Sequence, residues 1–368
     1  MRVASTAVSG LVLFACFAAG FGVERPSYKV LPAVTQGNLT IFPVVANESF
    51  DTSRFLTLDD GIRSGDVIVT ETTEAQGLVR PRPRPPQDGV WREYPYPIPQ
   101  SGARVNQLAL INNSNQPLLL LAGEIVTGGK QDRVVGRDRI IPAHSKPVAL
   151  DVFCVEPHRW MGASAEFGKT ASAMAQPSVR AKAMAEQNQQ QVWNEVARSR
   201  EIMAAAVPAP QAFAIRSSSS YAAAVQNRAV EAQLNSITGP IERSYEQALE
   251  QLRAAKAAGA VVAVNGEIIW ADVFASPALL EKYWPKLLRS YAAEAMAPRP
   301  WRESRTVEPS QFSAQQFLDR LWGTHEDMET EPGVYRSTKV EGDDFDAFLL
   351  TALLPNTGFD VHIAKMKR

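Results

Sequence analysis

The sequence contains few cysteines and histidines and almost no net charge, and each absence excludes a class of protein. Two cysteines in 368 residues exclude a disulfide-stabilised scaffold and a cysteine zinc ribbon. Lys and Arg number 38 against 39 Asp and Glu, so no basic surface predicts binding to nucleic acid. The four histidines are scattered without the spacing of metal ligands. We therefore predict no metal site, and no motif predicts a cofactor.

The remaining composition is that of an ordinary globular protein. Hydrophobic residues make up 45% of the chain and charged residues 21%, close to the average of folded domains. These values exclude a disordered, collagen-like or coiled-coil protein. The length predicts about two domains, or one large domain, with an ample hydrophobic core.

Residues 1–22 have the pattern of a secretory signal. Arg2 is the only charge, an apolar stretch follows, and small residues stand at Gly20 and Gly22. We predict cleavage near one of these glycines and a secreted or periplasmic bacterial protein. Two alternatives remain open, namely an uncleaved anchor and a lipoprotein anchored at Cys16. Contact with a membrane is expected only in those two cases.

Local patterns predict an α+β fold. Short β-branched runs bounded by Gly and Asp indicate strands over residues 28–76 and again over 105–160. Residues 171–258 are rich in Ala, Gln and Glu, which favours helices. The clearest of these helices is expected to begin at Pro240 and to end before Gly259.

The last third of the chain predicts a hairpin and a helix that complete the sheet. Asn265-Gly266 between two apolar runs is a strong signal for a two-residue hairpin turn, and Ser276-Pro277 is typical of a helix start. A second hairpin is expected over residues 334–354. The predicted fold class is therefore α+β, with a β-rich N-terminal half, a helical middle, and a β-hairpin plus helix completing the sheet.

A glycine-containing loop between two of the expected strands invites comparison with a phosphate-binding P-loop. One residue too many separates Gly123 from Gly129-Lys130, and Gln131 stands where a P-loop has the Ser or Thr that binds magnesium. We therefore exclude a P-loop NTPase. The donors of Lys130, Gln131 and Arg133 could still bind a carboxylate or phosphate, with an ordinary solvated turn as the alternative.

Strand alternation predicts two buried carboxylates next to this loop. Glu124 continues the apolar face of residues 118–122, and Glu156 continues that of residues 148–154. A buried carboxylate needs a partner or takes up a proton. Two interpretations stay open: a structural salt-bridge network, and a polar pocket that binds a ligand.

The residues assigned to this candidate site are the catalytic carboxylates Glu124 and Glu156 and the ligand-binding residues Lys130, Gln131, Arg133, Arg159 and Trp160. The three cations are the expected partners of the two carboxylates, and Trp160 is the expected apolar wall. Cys154 lies on an apolar strand face, which predicts a buried thiol. As a nucleophile it would need His158, which an extended strand places more than about 10 Å away.

Four stretches carry a resemblance to a known family, at residues 119–133, 153–160, 260–274 and 284–291. Their Gly-Glu, Lys-Gln-x-Arg and Cys-Val-Glu-x-x-Arg-Trp motifs are similar to those of the ARPP domain family, the ARG and rhodanese-phosphatase-superfamily-associated protein domain. The family name records an association with ADP-ribosylglycohydrolases, which implies a link to ADP-ribose or NAD-derived metabolites. The resemblance implies no catalytic residue. It divides the chain into a signal peptide (1–22), a family domain (28–298) and a C-terminal extension with a hairpin (299–368).

Two functions from different classes fit these observations. One is an exported protein that binds or hydrolyses an anionic, ADP-ribose- or nucleotide-like metabolite, with Lys130 and Arg133 on the anion. The other is a non-enzymatic exported module that binds a protein partner, whose identity the sequence does not indicate. A pocket that holds the two glutamates would favour the first.

Overall fold

The computed structural model describes residues 26–75, 78, 106–157, 167–168, 173–251, 257–298 and 308–368. The expected signal peptide, Arg159 and Trp160 lie outside these residues. The described part contains three β-sheets and eight α-helices, so the chain has the predicted α+β fold. No helix in this part is long and apolar enough to cross a membrane.

The strands, in chain order, are β1 (Tyr28–Val30), β2 (Val34–Gln36), β3 (Leu39–Ala46), β4 (Leu56–Thr57), β5 (Val67–Glu71), β6 (Gln107–Asn112), β7 (Leu118–Leu120), β8 (Glu124–Val126), β9 (Arg133–Val135), β10 (Arg139–Ile141), β11 (Val148–Cys154), β12 (Ala173–Met174), β13 (Ala257–Val264), β14 (Glu267–Phe274), β15 (Thr324–Glu331), β16 (Tyr335–Glu341), β17 (Phe345–Ala352) and β18 (Asp360–Lys367). The helices are α1 (Leu58–Ser64), α2 (Pro177–Ala181), α3 (Gln189–Ala205), α4 (Ala209–Ser217), α5 (Tyr221–Val225), α6 (Arg228–Gln251), α7 (Pro277–Ala295) and α8 (Gln311–Asp319).

The largest sheet has nine strands and is built around the predicted hairpin. Strands β13 and β14 pair antiparallel across Asn265 and Gly266, which have φ angles of 56° and 86°, as a two-residue hairpin turn requires. The strand order is β1-β3-β13-β14-β18-β17-β16-β15, with β2 also on β3. Residues 324–367, treated above as part of a C-terminal extension, thus add four strands to this same sheet through the β14–β18 pair.

Two smaller sheets carry the glycine-containing loop. The order of the six-stranded sheet is β12-β8-β9-β11-β6-β5, and that of the three-stranded sheet is β10-β7-β4. Alternate residues of β11 face different cores: Val148, Leu150 and Val152 join one, whereas Phe153 joins the other. The six-stranded sheet therefore separates the main core from a smaller one.

Helix α7 begins where the sequence predicts. The Ser276 hydroxyl accepts a hydrogen bond from the Leu279 N–H at 3.1 Å, and Pro277 occupies the first helical position. The apolar side of α7 packs in the same core as Val262 and Val264 of the hairpin. The other helix start that the sequence predicts, at Pro240, is wrong.

Helix α6 begins twelve residues earlier than predicted and continues through Pro240. Val230, Leu234 and Ile241 are buried in the main core at helical spacing. This packing holds the helix together although proline removes one backbone hydrogen bond from its interior.

Candidate functional site

The turn that joins β7 to β8 shows why Glu124 is buried. Gly123 has a φ of 94°, and a Cβ there would lie 2.6 Å from the Arg180 Cγ, so only glycine fits. Beyond Leu120 the chain is therefore a turn, and the expectation that Glu124 continues the face of residues 118–122 is wrong. The Glu124 carboxylate instead folds back and accepts a hydrogen bond from the Leu121 N–H at 2.7 Å.

Glu124 pairs with a lysine that the sequence analysis missed. Its Oε1 lies 2.5 Å from the Nζ of Lys286 on α7, and this ammonium also lies 2.8 Å from Asp59 of α1. Burial raises the pKa of the Glu124 carboxyl, although the charge of Lys286 opposes this effect. Burial also disfavours the Lys286 ammonium, but the Glu124 and Asp59 charges outweigh it and raise the pKa of Lys286.

A second buried cluster surrounds Asp272 on β14. Arg180 donates two hydrogen bonds to this carboxylate, at 2.8 and 2.9 Å, in a bidentate pair. The Trp270 indole N–H at 2.9 Å and the Tyr291 hydroxyl at 2.5 Å donate to the same carboxylate. Burial opposes the ionised form of Asp272, but Arg180 and His362 prevail and hold its pKa well below the usual range.

His362 joins Asp272 to Asp138. Its Nε2 lies 3.1 Å from Asp272 Oδ1, and its Nδ1 lies 2.6 Å from Asp138 Oδ2. Burial disfavours the imidazolium, yet Asp138 and Asp272 outweigh this penalty and raise the pKa of His362 to about 9. The other Asp138 oxygen accepts a hydrogen bond from the Ala122 N–H at 2.7 Å. The cluster therefore ties the Gly123 turn to the large sheet.

The crevice that Asp138 lines is too small for a substrate. Asp138 lines a crevice together with Arg137, Met184, Met328 and Phe348, among others, and its volume is about 10 Å³. That volume holds a single water molecule. We therefore interpret the Asp272 cluster as part of the folded core.

The glycine loop, defined here as residues 127–132 between β8 and β9, is organised differently. Gly128 and Gly129 have φ angles of 122° and 50°, and a Cβ on Gly129 would lie 2.1 Å from the Phe167 ring. Neither position tolerates a side chain without strain. The Gly128 N–H donates to Asp132 Oδ1 at 3.1 Å, and this bond closes the loop on itself.

Buried carboxylates hold the loop through its backbone. The Lys130 N–H donates to Glu71 Oε1 and the Asp132 N–H donates to Glu156 Oε2, both at 3.1 Å. Glu156 is buried, as the strand pattern predicts. The Gln131 side-chain amide donates to the Glu156 carbonyl at 3.1 Å, so this glutamate and the loop form one unit.

Three oxygens beside the loop are buried and accept no hydrogen bond in the part of the chain that the structure describes. They are Glu71 Oε2, Thr72 Oγ1 and Gln131 Oε1, and each of these residues is more than nine-tenths buried. Leaving a buried polar atom without a partner costs about 1–3 kcal/mol. Each such atom in a folded protein calls for an explanation, and a ligand that donates to it is one.

Arg133 and Cys154 lie next to the loop. They are directly opposite each other on β9 and β11 and both are fully buried, which confirms the prediction for Cys154. Burial raises the pKa of the Cys154 thiol, more than Arg133 lowers it, so the unreactive protonated form is favoured. His158, the partner that a nucleophilic Cys154 would need, is outside the described residues.

The predicted site residues therefore separate into two places. Lys130, Gln131, Arg133 and Glu156 lie at the glycine loop, whereas Glu124 bonds to Lys286 beneath the Gly123 turn. The described residues therefore do not form the pocket holding both glutamates that would favour a ligand site on the sequence evidence. The sequence patterns did not lead to six residues that the structure brings into these clusters, namely Glu71, Asp138, Arg180, Asp272, Lys286 and His362. A signal was present for some, because Asp272 and His362 interrupt apolar strands and Lys286 lies on the apolar side of α7. Among the described residues, no group of three or more His, Cys, Asp or Glu could hold a metal ion.

Comparison with known proteins gives one match. A family model described as the ARG and Rhodanese-Phosphatase-superfamily-associated Protein domain matches residues 27–365. The match continues beyond residue 298 and includes strands β15 to β17 and most of β18. No curated protein and no solved structure matches the sequence.

The raised pKa of His362 predicts a specific loss of stability at alkaline pH. Its folded-state value of about 9 exceeds the value of about 6.5 for an exposed histidine. The stabilisation that protonated His362 contributes to the folded state is therefore complete below about pH 6.5 and is lost as the pH rises through about 9. We expect the stability difference between wild type and His362→Gln to shrink by about 3 kcal/mol between pH 6 and pH 10, measured by urea unfolding.

His325→Gln is the matched control, because His325 is exposed on β15. This variant should keep the wild-type profile of stability against pH. A difference between wild type and His362→Gln that stays constant from pH 6 to pH 10 would contradict a charged His362.

Proposed function

We propose that this protein, which belongs to the ARG and Rhodanese-Phosphatase-superfamily-associated Protein domain family, binds an anionic, ADP-ribose- or nucleotide-like metabolite at its glycine loop. The observation that carries the proposal is the set of buried oxygens that find no donor in the described part of the chain, beside a loop that carries Lys130 and precedes Arg133. An ordinary surface turn has water to satisfy such atoms. A bound molecule supplies donors to these oxygens and places its anionic group on the cations.

The roles of the site residues follow from their positions. Lys130 and Arg133 bind the anion, with Arg159 and Trp160 as the further ligand contacts that the sequence predicts. Gly128 and Gly129 allow the backbone of the loop to take its left-handed conformation, with the Phe167 ring packed against Gly129. Glu156 holds the Asp132 N–H and would act as the base if the ligand is hydrolysed.

Glu124 has a structural role in this proposal. Its carboxylate is completely buried and bonds to Lys286 and to the Gly123 turn. Removing one member of a buried ion pair strands the other charge, which destabilises the fold without touching the ligand.

An exported protein-interaction module is the second candidate. Phe312 and Trp322 are 71% and 65% exposed, and large exposed aromatic side chains favour contact with a partner protein. A titration panel of ADP-ribose, nucleotides and sugar phosphates separates the two candidates, since the module binds none of these.

Two matched substitutions test the assignment of the two glutamates. In Glu156→Gln the amide oxygen can still accept the Asp132 N–H, so we expect little change in the unfolding midpoint. The amide nitrogen replaces the oxygen that the proposal assigns to the ligand, so we expect at least about tenfold weaker binding of ADP-ribose. In Glu124→Gln we expect a loss of about 3 kcal/mol in stability, at the lower end for a broken buried pair because Lys286 keeps its ion pair with Asp59. The affinity for ADP-ribose should be unchanged. Calorimetric titration and urea unfolding measure these effects. Stability losses in both variants with no effect on binding would contradict the proposal.

Export is part of the proposal and has its own test. The signal pattern of residues 1–22 predicts a mature chain that begins near Phe21 or Val23 and is recovered outside the cytoplasm. Intact-mass measurement of the natively expressed protein gives this start directly. A soluble cytosolic product that retains Met1 to Gly20 would contradict export, and an added diacylglyceryl group on Cys16 would show a lipoprotein instead.

A further inference from the structure

The three buried oxygens that find no donor among the described residues belong to two pairs of consecutive residues, and one hydrogen bond joins the two pairs. Glu71 ends β5 and Thr72 follows it, while Lys130 and Gln131 are consecutive in the glycine loop. The Lys130 N–H donates to Glu71 Oε1, which brings the end of β5 against the loop. The two residue pairs that carry the second carboxylate oxygen, the Thr72 hydroxyl and the Gln131 amide oxygen are thus neighbours in the fold.

These oxygens cannot satisfy one another. An ionised carboxylate oxygen and an amide oxygen only accept hydrogen bonds, and the Thr72 hydroxyl has one proton to donate. The amide nitrogen of Gln131 is already used, because it donates to the Glu156 carbonyl at 3.1 Å. That bond also fixes which way the amide points, since a flipped amide would place two acceptors together. At least one acceptor therefore requires a donor from outside this group.

We propose that Glu71, Thr72 and Gln131 recognise a vicinal diol, so that the ligand of the glycine loop is a sugar phosphate of the ribose type. The assignment rests on the proposed function, because it names the ligand class of that same site. A diol supplies two adjacent O–H donors and can accept the Thr72 proton in return. A ligand amine also donates, but Lys130 and the Arg133 guanidinium lie next to the same region and repel a second cation.

The chemistry is that of carboxylates which bind ribose elsewhere. In dinucleotide-binding folds an acidic side chain accepts hydrogen bonds from a ribose hydroxyl while backbone amides and cations bind the phosphate. In this proposal Glu71 accepts the hydrogen bonds of the ribose hydroxyls, and the glycine loop with Lys130 binds the phosphate. A site built to bond a hydroxyl rejects an analogue that lacks it, because the acceptor is then left buried and unpaired.

The test compares ribose 5-phosphate with 2-deoxyribose 5-phosphate and with inorganic phosphate, each titrated calorimetrically into the purified mature protein. We expect the wild type to bind ribose 5-phosphate roughly tenfold to a hundredfold more tightly than the deoxy analogue. Glu71→Gln should abolish this preference and leave the affinity for 2-deoxyribose 5-phosphate within about twofold. Thr72→Val, which removes only the hydroxyl, should reduce the preference. Glu326→Gln on the exposed strand β15 is the carboxylate control and should bind as the wild type does.

Equal affinity of the wild type for ribose 5-phosphate and its deoxy analogue would overturn the diol assignment and leave the proposed function standing. Failure of the wild type to bind ADP-ribose or any of the three phosphates would overturn both. If Glu71→Gln does not fold, the wild-type comparison and Thr72→Val still decide the matter. If folded Thr72→Val and folded Glu71→Gln both keep the wild-type preference for ribose 5-phosphate over its deoxy analogue, other residues bind the diol and the proposal is refuted.

Discussion

The carboxylate of Asp272 is the interaction on which the rest of the structure depends. It accepts hydrogen bonds from Arg180 of α2, Tyr291 of α7 and His362 of β18, and the last of these also bonds to Asp138. Asp138 in turn holds the Gly123 turn between β7 and β8. The nine-stranded sheet and the smaller sheets thus meet at one buried, charge-balanced group. Breaking a buried ion pair of this kind costs about 3–5 kcal/mol, which is a large part of the stability of most domains.

The molecule uses buried charge in two different ways. Around Asp272 both carboxylate oxygens accept donors and the nearby crevice admits one water, so the charges specify how elements pack. At the glycine loop the carboxylates of Glu71 and Glu156 hold backbone N–H groups, but Glu71 Oε2 and Gln131 Oε1 find no donor among the described residues. A core tolerates few such atoms, whereas a binding site requires them before the ligand arrives. The Asp272 cluster also contains a buried atom with no partner among the described residues, Arg180 Nε, so the proposed site differs from it in having acceptors that lack donors.

Sequence patterns predicted the features that depend on neighbouring residues. The Asn265-Gly266 turn, the Ser276 cap of α7 and the buried Cys154 follow from local backbone preference and strand alternation. The partners of the charged groups did not follow, because 92 residues separate Arg180 from Asp272 and 162 separate Glu124 from Lys286. Nearness in sequence therefore suggested Lys130 and Arg133 as partners of Glu124, and tertiary packing supplied Lys286. The same cause explains α6, where long-range packing outweighs the local effect of Pro240.

Amide hydrogen exchange with and without ADP-ribose tests the central claim, that the glycine loop is the site and the Asp272 cluster is the scaffold. The account predicts slower exchange on binding at the N–H groups of Lys130 and Asp132, which the carboxylates of Glu71 and Glu156 hold. It predicts no change at Leu121 and Ala122, whose N–H groups bond to Glu124 and Asp138. Protection that appears at the Gly123 turn and not at the glycine loop would contradict it.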